Sequence, residues 1–512
     1  MNEKDLEHNT PDDDSSKNTS RRESYQEAAS HGADQSKAPV TPQAPAQNTS
    51  PSTLDWDSKS DPDNPQNWSL GRKWYQTVMP ASIALVVTLG SSIISPAREA
   101  IQNEFSTNFT VSLIPFVVYV LGVGFGPFIA SPSSEYFGRR VIYQTSVLTF
   151  SLFVLGCGFS PTLAGLVVCR FLAGFCGSPG LSIGSASIAD IWMPKDRALP
   201  MTLFITTPFF GPAIAPMIGA YVILGKGWRW TQWTLLFFSA VCLGGSVGMK
   251  ETYKSVILQK RAKRRGVASG EVDLTYAQRA KKFAQGQLKR PVHMLLVEPV
   301  VALLTLYISV NFGVLYAFFA AFPYIFAEVY GFGIGPTGLM FLGIGAGCLC
   351  AALILIIWTR TITPRLMKKH KGKPPMEHRL LYAMIGSIAL PISLFWFGWS
   401  VNYGVHWICP VIAAALYGFG NMLVLMSGNL YIVDFYGARY GASAAVANNF
   451  MRYAFGFAFP LFIVQMYERL GIGWATSLLG FVQLGLTPIP WAFYVYGPRL
   501  TARSQYVRGG GS

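Results

Sequence analysis

The chain has 512 residues, of which 51% are hydrophobic, 14% are aromatic and only 13% are charged. An apolar stretch of about 20 residues spans the hydrocarbon core of a bilayer, and the many such stretches here exclude an ordinary soluble protein. The net charge of +15 does not indicate nucleic-acid binding, because lysine and arginine lie almost entirely between the apolar stretches, as in the cytoplasmic loops of membrane proteins.

The chain begins with a polar segment. Residues 1–72 are rich in serine, aspartate, proline, glutamine and asparagine and poor in aliphatic residues. Such a segment cannot bury enough apolar surface to offset the entropy that ordering would cost. We therefore predict a disordered cytoplasmic tail. It does not resemble a signal peptide, because a basic start followed by an apolar core is lacking.

Twelve apolar runs follow the tail and predict an all-α membrane protein. They lie near residues 74–96, 109–130, 141–160, 163–189, 198–223, 231–249, 299–326, 337–358, 380–401, 407–433, 438–466 and 472–496. Their order gives an N-terminal six-helix half (73–249), a central loop (250–297), a C-terminal six-helix half (298–497) and a C-terminal tail (498–512). Loops rich in lysine and arginine are placed inside, so both termini are predicted to be cytoplasmic.

The central loop contains two segments that mix basic and apolar residues with helical spacing, Lys254 to Arg265 and Tyr276 to Lys289. Basic amphipathic helices commonly lie against anionic lipid. We therefore expect interfacial helices in this loop. A segment that binds a partner is the alternative.

A charged cluster follows the second run, where the inner loop carries Glu135, Gly138, Arg139 and Arg140. Glycine allows a tight turn, and the carboxylate can pair with a nearby cation. This pattern favours a latch that opens when the two halves rock. Simple anchoring by positive charge at the inner face is the alternative.

Asp190 and Asp434 each lie at the inner end of the fourth span of their half. Their matching positions indicate an internal repeat, which is common in transporters. We expect each aspartate to pair with inner-loop arginines as part of the latch, with proton carriage as the alternative.

Two arginines lie inside predicted spans, Arg170 in the fourth and Arg452 in the eleventh. A guanidinium within the bilayer is costly unless it faces the bundle interior, water or a partner. We expect both to serve in substrate binding or proton coupling, the alternative being contact with backbone carbonyls. Asn448 and Asn449 lie within about one helical turn of Arg452 and are expected to line the same cavity, with a packing hydrogen bond between helices as the alternative for Asn449.

Further candidates lie in the seventh and fifth spans. Tyr316 and Asn311 are candidate cavity residues in the seventh span. The fifth span contains a cluster of glycines and prolines, Gly211, Pro212, Pro216 and Gly219. Small residues let helices approach closely, and proline bends a helix by leaving a carbonyl free.

Acidic residues are lacking near the middle of every predicted span. A cavity that selects cations needs a buried carboxylate, so a neutral or anionic substrate is expected. Cysteines and histidines show no metal-ligand spacing, and no catalytic motif is found. We therefore expect no metal site, no cofactor and no enzymatic activity.

The motifs resemble those of the major facilitator superfamily. Residues 131–140 are similar to its motif A with Ser131 in place of the usual glycine, residues 166–174 to motif B, and residues 211–220 to the antiporter motif C with Ala215 and Ala220 in place of glycines. Residues 63–68, 227–230, 429–436, 442–452 and 460–462 resemble the twelve-span fungal drug:proton antiporter-1 family. The resemblance implies a major facilitator fold and the export of drugs, polyamines, toxins or secreted metabolites.

We therefore expect a secondary active transporter that exports a small neutral or anionic metabolite, such as an organic acid, a glycolipid or another secondary metabolite. It is expected to work by alternating access in exchange for protons, driven by the proton gradient. A monomer in the plasma membrane is expected, with the vacuolar membrane as the alternative. Other interpretations are a broad-specificity drug or polyamine exporter, a proton-coupled uptake symporter, and a non-transporting membrane sensor.

Overall fold

The computed structural model describes residues 55–194, 196–266, 289–369 and 375–508. The predictions that concern residues 1–54, Lys195, most of the second central-loop segment and residues 509–512 lie outside these ranges. Within the described ranges the chain consists of α-helices and short 3-10 helices joined by turns.

The helices cover each of the stretches that the apolar runs predict. Those of the N-terminal half are α1 (Leu70–Ser92), α2 (Arg98–Glu104), α3 (Phe109–Phe125), α4 (Pro127–Phe137), α5 (Arg139–Phe159), α6 (Leu163–Gly177), α7 (Pro179–Ser182), α8 (Gly184–Ile191), α9 (Ala198–Lys226) and α10 (Arg229–Val247). The central loop and the C-terminal half contribute α11 (Lys254–Arg264), α12 (Arg290–Val297), α13 (Pro299–Glu328), α14 (Ile334–Lys369), α15 (Leu381–Asn402), α16 (Ile408–Leu470), α17 (Ile472–Leu486), α18 (Pro488–Arg503) and α19 (Gln505–Arg508).

Nine helices in the described part of the chain are long and apolar enough to cross a membrane, and a tenth is obtained if α3 and α4, bent by 43°, form one span. The two remaining predicted spans correspond to α10 and to the second part of α16. Arg229 begins α10, and the second part of α16 carries Arg452 beside two asparagines, which lowers the mean hydropathy of both. The chain is an all-α protein that passes through the membrane several times.

Glycines mark two of the breaks between helices. Gly126, between α3 and α4, lies so close to α6 and α7 that a Cβ atom there would be 1.6 Å from Ser178 Oγ. Gly437 interrupts α16 with a φ of 62°, in the left-handed region that favours glycine. This turn separates the two runs predicted near 407–433 and 438–466.

The two halves meet along two seams, one between α9 and α14 and the other between α3 and α16. We call the end of the bundle that carries Arg139 and α11 the basic face, and the other end the opposite face. Near the opposite face the seams are closed. There the side chains of Thr110 and Gln465 are 2.7 Å apart, and a Cβ atom on Gly338 would lie 2.7 Å from that of Ala220.

Part of the predicted disordered tail is ordered. Residues 55–69 include a 3-10 helix at Pro65–Asn67, and the buried Trp68 packs in a hydrophobic cluster with Trp192. Aspartates of this segment pair with cations of α11, a long-range contact that composition does not reveal. The prediction that disorder extends to residue 72 is therefore wrong for residues 55–72, because α1 also begins before that residue.

The first amphipathic segment of the central loop forms α11, at the place where a helix was expected. Its apolar residues Val256, Leu258 and Ala262 are buried within the protein, beside α4. Its Lys254 and Arg261 pair with aspartates that precede α1. The described contacts of this helix are therefore with the chain itself, while its interfacial position and the partner-binding alternative stay predictions.

Candidate functional site

A cavity of about 480 Å³ lies between the two halves. Its walls are formed by α1, α3 and the α6–α9 region of the N-terminal half and by α13, α14 and α16 of the C-terminal half. It extends from Ser91 and Tyr316, in the middle of the bundle, to Met201 and Val433 near the basic face. The cavity therefore lies on the basic-face side of the closed seams.

Most of the cavity wall is apolar. The larger apolar side chains that line it include Phe204, Phe209, Phe312, Leu315, Phe319 and Leu425. Concave sites of this kind bind small molecules through apolar contact, with a few polar groups that fix the orientation. The walls therefore suit a small molecule with a substantial apolar body.

Among the described residues that line the cavity, Arg452 is the one cationic side chain and none is an aspartate or a glutamate. Its guanidinium carbon lies 4.8 Å from the ring centre of Phe312 and 4.7 Å from that of Tyr453. Its Nη2 donates to Asn449 Oδ1 at 3.1 Å, and its buried Nε has no partner among the described residues. A cation in an apolar wall without a carboxylate attracts an anionic group.

Tyr316 lies where the two halves meet. Its hydroxyl donates to Ser91 Oγ at 3.2 Å, and its ring stacks on that of Phe116 with the ring centres 6.1 Å apart. These contacts join α13 of the C-terminal half to α1 and α3 of the N-terminal half. Tyr316 is thus both a cavity residue and part of the contact between the halves.

The neighbouring amides Asn448 and Asn449 take different positions. Asn449 lines the cavity, whereas Asn448 is fully buried behind its wall, so the expectation that both line it is wrong. Asn448 Nδ2 donates to Oδ1 of Asn429 at 2.6 Å, and Asn429 does line the cavity. The sequence analysis did not select Asn429, for which the available signal was an amide within an otherwise apolar run.

Arg170 lies outside the cavity lining and is fully buried. Its Nε donates to the carbonyl oxygen of Pro115 at 3.0 Å and its Nη2 to that of Gly90 at 2.8 Å. Its guanidinium carbon is 4.4 Å from the ring centre of Tyr119. This is the backbone-carbonyl arrangement that was the alternative for this residue, and a role in proton coupling stays a prediction.

Asn311 also lies away from the cavity. Its Nδ2 donates to the backbone carbonyl oxygen of Tyr307 at 2.9 Å. The backbone carbonyl oxygen of Asn311 accepts a hydrogen bond from the Tyr417 hydroxyl at 2.8 Å. It therefore faces the interior of the C-terminal half, so direct contact with cargo in this cavity is not supported by its position.

The glycines of α9 lie against α1. A Cβ atom on Gly211 would be 2.2 Å from Thr88 Oγ1, and one on Gly219 would be 2.2 Å from the carbonyl oxygen of Ile93. Pro212 lines the cavity and Pro216 is buried. The cluster thus allows close packing of α1 on α9.

The charged cluster at the basic face is connected differently from the expectation for Glu135. Arg139 Nε lies 3.3 Å from Asp190 Oδ2, so Asp190 pairs with an inner-loop arginine. Glu135 is exposed, and Glu251 accepts the backbone N–H groups of Arg139 and Arg140 at 2.8 and 3.2 Å. The sequence analysis missed Glu251, which lies more than a hundred residues away along the chain.

The turn that precedes α5 has a steric requirement. Gly138 has a φ of +95°, and a Cβ atom there would lie 2.2 Å from Glu251 Oε2. Glycine therefore lets the carboxylate of Glu251 reach the first amides of α5, where the helix dipole favours negative charge.

The C-terminal half carries an equivalent contact. Asp434 Oδ2 pairs with Arg379 Nε, and Arg379 lies in the segment between α14 and α15. In each half, therefore, an aspartate at the basic end of the fourth span pairs with an arginine of that half. Both partners belong to one half, so rocking of the halves as rigid bodies does not by itself separate them.

A metal site requires several histidine, cysteine, aspartate or glutamate side chains close together. Within the described ranges no three histidine, cysteine, aspartate or glutamate side chains are grouped so that they could hold a metal ion. The described lining of the cavity therefore offers the guanidinium of Arg452, several amides and hydroxyls, and apolar walls.

Comparisons with known proteins agree with this architecture. A family model described as Major Facilitator Superfamily matches residues 81–460. The MFS-type efflux pump MFS2 of Trichophyton rubrum is 39% identical over 88% of this chain and 76% of its own length. Polyamine transporter 4 of Saccharomyces cerevisiae is 34% identical over 89% of this chain and 73% of its own length.

A solved structure shows the same fold at low sequence identity. The proton:xylose symporter XylE, bound to 6-bromo-6-deoxy-D-glucose, superposes with a TM-score of 0.61 at 15% identity. The match covers 83% of this chain and 97% of XylE.

Proposed function

The chain belongs to the major facilitator superfamily, and from that premise we propose that it exports a small neutral or anionic metabolite in exchange for protons. It is a membrane transporter and not an enzyme. We assign it to the drug:proton antiporter-1 family, as a monomer in the plasma membrane that uses the proton gradient and no cofactor.

The proposed topology has twelve spans with both termini in the cytoplasm. Two observations support it. Helices cover all the predicted apolar runs, and the segments rich in lysine and arginine occupy alternate loops along the sequence, the distribution expected when these loops are cytoplasmic. The basic face is then cytoplasmic, and the cavity of about 480 Å³ is accessible from the inside. By alternating access the cavity would then close toward the inside and open toward the opposite face, as in other two-half transporters.

The proposal on cargo charge rests on one observation. In the described part of the chain, Arg452 contributes the one cationic side chain to the cavity wall, and no carboxylate of that wall neutralises it. Desolvating a cargo cation beside this guanidinium would be costly, whereas an anion would gain a charge-assisted hydrogen bond. A neutral cargo avoids both effects and remains compatible with the apolar walls.

The direction of transport is supported by similarity to the efflux pump MFS2 of Trichophyton rubrum. Similarity to polyamine transporter 4 of Saccharomyces cerevisiae supports polyamine export as a second candidate function. The cavity argues against that candidate, because polyamines are cations and the lining residues that the structure describes include no aspartate or glutamate.

Inside-out plasma-membrane vesicles from a yeast host provide the test. The vesicle interior corresponds to the cell exterior, so a proton antiporter that exports cargo should accumulate radiolabelled 3-phenyllactate when the vesicle interior is acid. Radiolabelled spermidine should not accumulate. Uptake that requires an alkaline interior would contradict antiport and favour symport, and accumulation of spermidine alone would favour the polyamine alternative. Vesicles from the host without the protein serve as the control.

A further inference from the structure

The polar groups of the C-terminal wall form two linked pairs. In the first, Arg452 Nη2 donates to Asn449 Oδ1 at 3.1 Å. In the second, Asn448 Nδ2 donates to Asn429 Oδ1 at 2.6 Å. Asn429, Asn449 and Arg452 line the cavity, while Asn448 lies behind its wall and is fully buried.

These bonds fix which atoms remain for a ligand. An amide side chain has an acceptor oxygen and an NH₂ group with two donors. Both cavity-lining amides have their oxygen engaged by a protein donor, and neither Nδ2 has a partner in the described part of the chain. The buried Nε of Arg452 is also unpartnered there, so the unpartnered nitrogens of these two amides and this guanidinium offer donors to a ligand.

Donor groups of this kind favour a ligand with several acceptor oxygens. The guanidinium suits a carboxylate, since charge-assisted hydrogen bonds between these groups are strong. The two amide nitrogens suit further neutral oxygens of the same molecule, such as a hydroxyl or a carbonyl. The apolar remainder of the wall, including Phe312 and Phe319, accommodates the body of the ligand.

We propose that Asn429 is a second recognition residue of the cargo site and that Asn448 positions it. Asn448 holds the oxygen of Asn429, so that the Asn429 NH₂ group is presented to the cavity. The cargo class is then an amphipathic carboxylic acid with a hydroxyl or carbonyl oxygen near the carboxylate. This inference rests on the proposed export function for its biological meaning, but it concerns binding and is testable without transport.

Equilibrium binding to the purified full-length protein separates the two proposals. The probes are 3-phenyllactate and 3-phenylpropionate, which share a skeleton and differ by the hydroxyl next to the carboxylate. A neutral hydrogen bond contributes about 1 kcal/mol, so the wild-type protein should bind 3-phenyllactate about fivefold more tightly. Binding is measured by quenching of tryptophan fluorescence, with no gradient present.

Four variants test the proposed roles of Asn429 and Asn448. Asn429→Ala should reduce the affinity ratio of the two probes to about one, and Asn448→Ala should reduce it because the Asn429 amide becomes free to turn. Asn448→Ser keeps a donor and should retain most of the ratio. Asn402→Ala is the matched control, because Asn402 is an exposed asparagine at the end of α15, and its ratio should equal that of the wild type.

Melting temperatures identify misfolded variants. A variant that melts like the wild type and has lost the ratio supports the inference, and so does the rescue by Asn448→Ser. Equal affinities of the wild type for both probes, or an unchanged ratio in Asn429→Ala, would overturn it. If binding shows the ratio but vesicles show no proton-driven uptake, the proposed function fails and this inference stands.

Discussion

The guanidinium of Arg261 in α11 binds both carboxylate oxygens of Asp61, at 2.6 and 2.8 Å. The Asp61 side chain is only 3% exposed, and its carboxylate also accepts the backbone N–H of Asp63 at 2.9 Å. Asp57 adds a further contact to Arg261 at 3.1 Å. Together these bonds fix the start of the central loop to the segment that precedes α1.

Asp61→Asn should lower the melting temperature of the purified protein. The substitution removes the charge of the best-buried of the three aspartates that contact Arg261, and a largely buried cation is less favourable with less counter-charge. The measurement is the loss of monodisperse protein after heating, followed by fluorescence size-exclusion chromatography.

Asp55→Asn is the matched control for that substitution. Asp55 pairs with Lys254 at 2.7 Å, but its side chain is 68% exposed, and exposed ion pairs contribute little to stability. Its melting temperature should stay close to that of the wild type. An equal decrease in both variants would show that the burial of Asp61 does not matter.

The same pair predicts a pH dependence of stability. Hydrogen bonds from Arg261 hold the pKa of Asp61 well below its ordinary value. A carboxylate with a lowered pKa stabilises the folded state at pH values above the unfolded pKa of about 3.9, and that contribution is lost as the pH falls further. The difference in melting temperature between wild type and Asp61→Asn should therefore be full at neutral pH and smaller at about pH 3. A constant difference would contradict the assignment.

Arg452→Gln should weaken the binding of anions selectively. Hydrogen bonds to charged groups contribute about 1.5–3 kcal/mol, so the affinity for 3-phenylpropionate should fall about tenfold to a hundredfold. The affinity for the neutral analogue 3-phenylpropanol should change little, because the apolar walls are unaltered. Arg360→Gln, at an exposed arginine of α14, is the control. Equal losses for both probes would remove the anion-binding role.

Arg170→Lys should lower the stability of the protein without changing its selectivity for anions, in contrast to Arg452→Gln. Arg170 donates to Gly90 of α1 and Pro115 of α3, and lysine lacks the planar group that reaches both carbonyl oxygens. We expect a lower melting temperature together with an unchanged affinity ratio of 3-phenylpropionate to 3-phenylpropanol. A wild-type melting temperature with an altered ratio would instead indicate contact with the cargo.

The sequence predicted the helices well because bilayer thickness imposes a length on every apolar run. It could not show which of Asn448 and Asn449 lines the cavity. Successive side chains of a helix point about 100° apart, and the two positions carry the same polar residue. Only the packing of the two parts of α16 shows that one amide lines the cavity and the other supports it.

Partners distant along the chain were equally beyond prediction. The positive charge of α11 fits anionic lipid as well as the aspartates before α1, and a pattern of charge does not choose between them. Likewise, Glu135 is near Arg139 in sequence, but Glu251 and Asp190 contact Arg139 in the fold. The position of Arg170 within a predicted span correctly indicated that its side chain is buried. That position did not indicate whether the side chain faces the cavity.

The ion pair of Arg139 with Asp190 is a brace, by which we mean a contact within one half, and not a latch, which would join the two halves. The distance between Arg139 Nε and Asp190 Oδ2 is 3.3 Å, and both residues belong to the N-terminal half. A brace of this kind predicts that Arg139→Asp alone abolishes proton-driven uptake of 3-phenyllactate into inside-out vesicles. Combining it with Asp190→Arg should restore part of that uptake, because the opposite charges meet again.

Combining Arg139→Asp with Asp434→Arg is the matched test of a latch, because Asp434 is the equivalent aspartate of the other half and pairs with Arg379. This cross-half exchange should restore nothing, since it leaves Asp190 facing a new aspartate and Arg379 facing a new arginine. Like charges at close range disfavour the fold of each half. Recovery of uptake in the cross-half variant, with none in the variant exchanged within one half, would mean that the two halves exchange these contacts during transport.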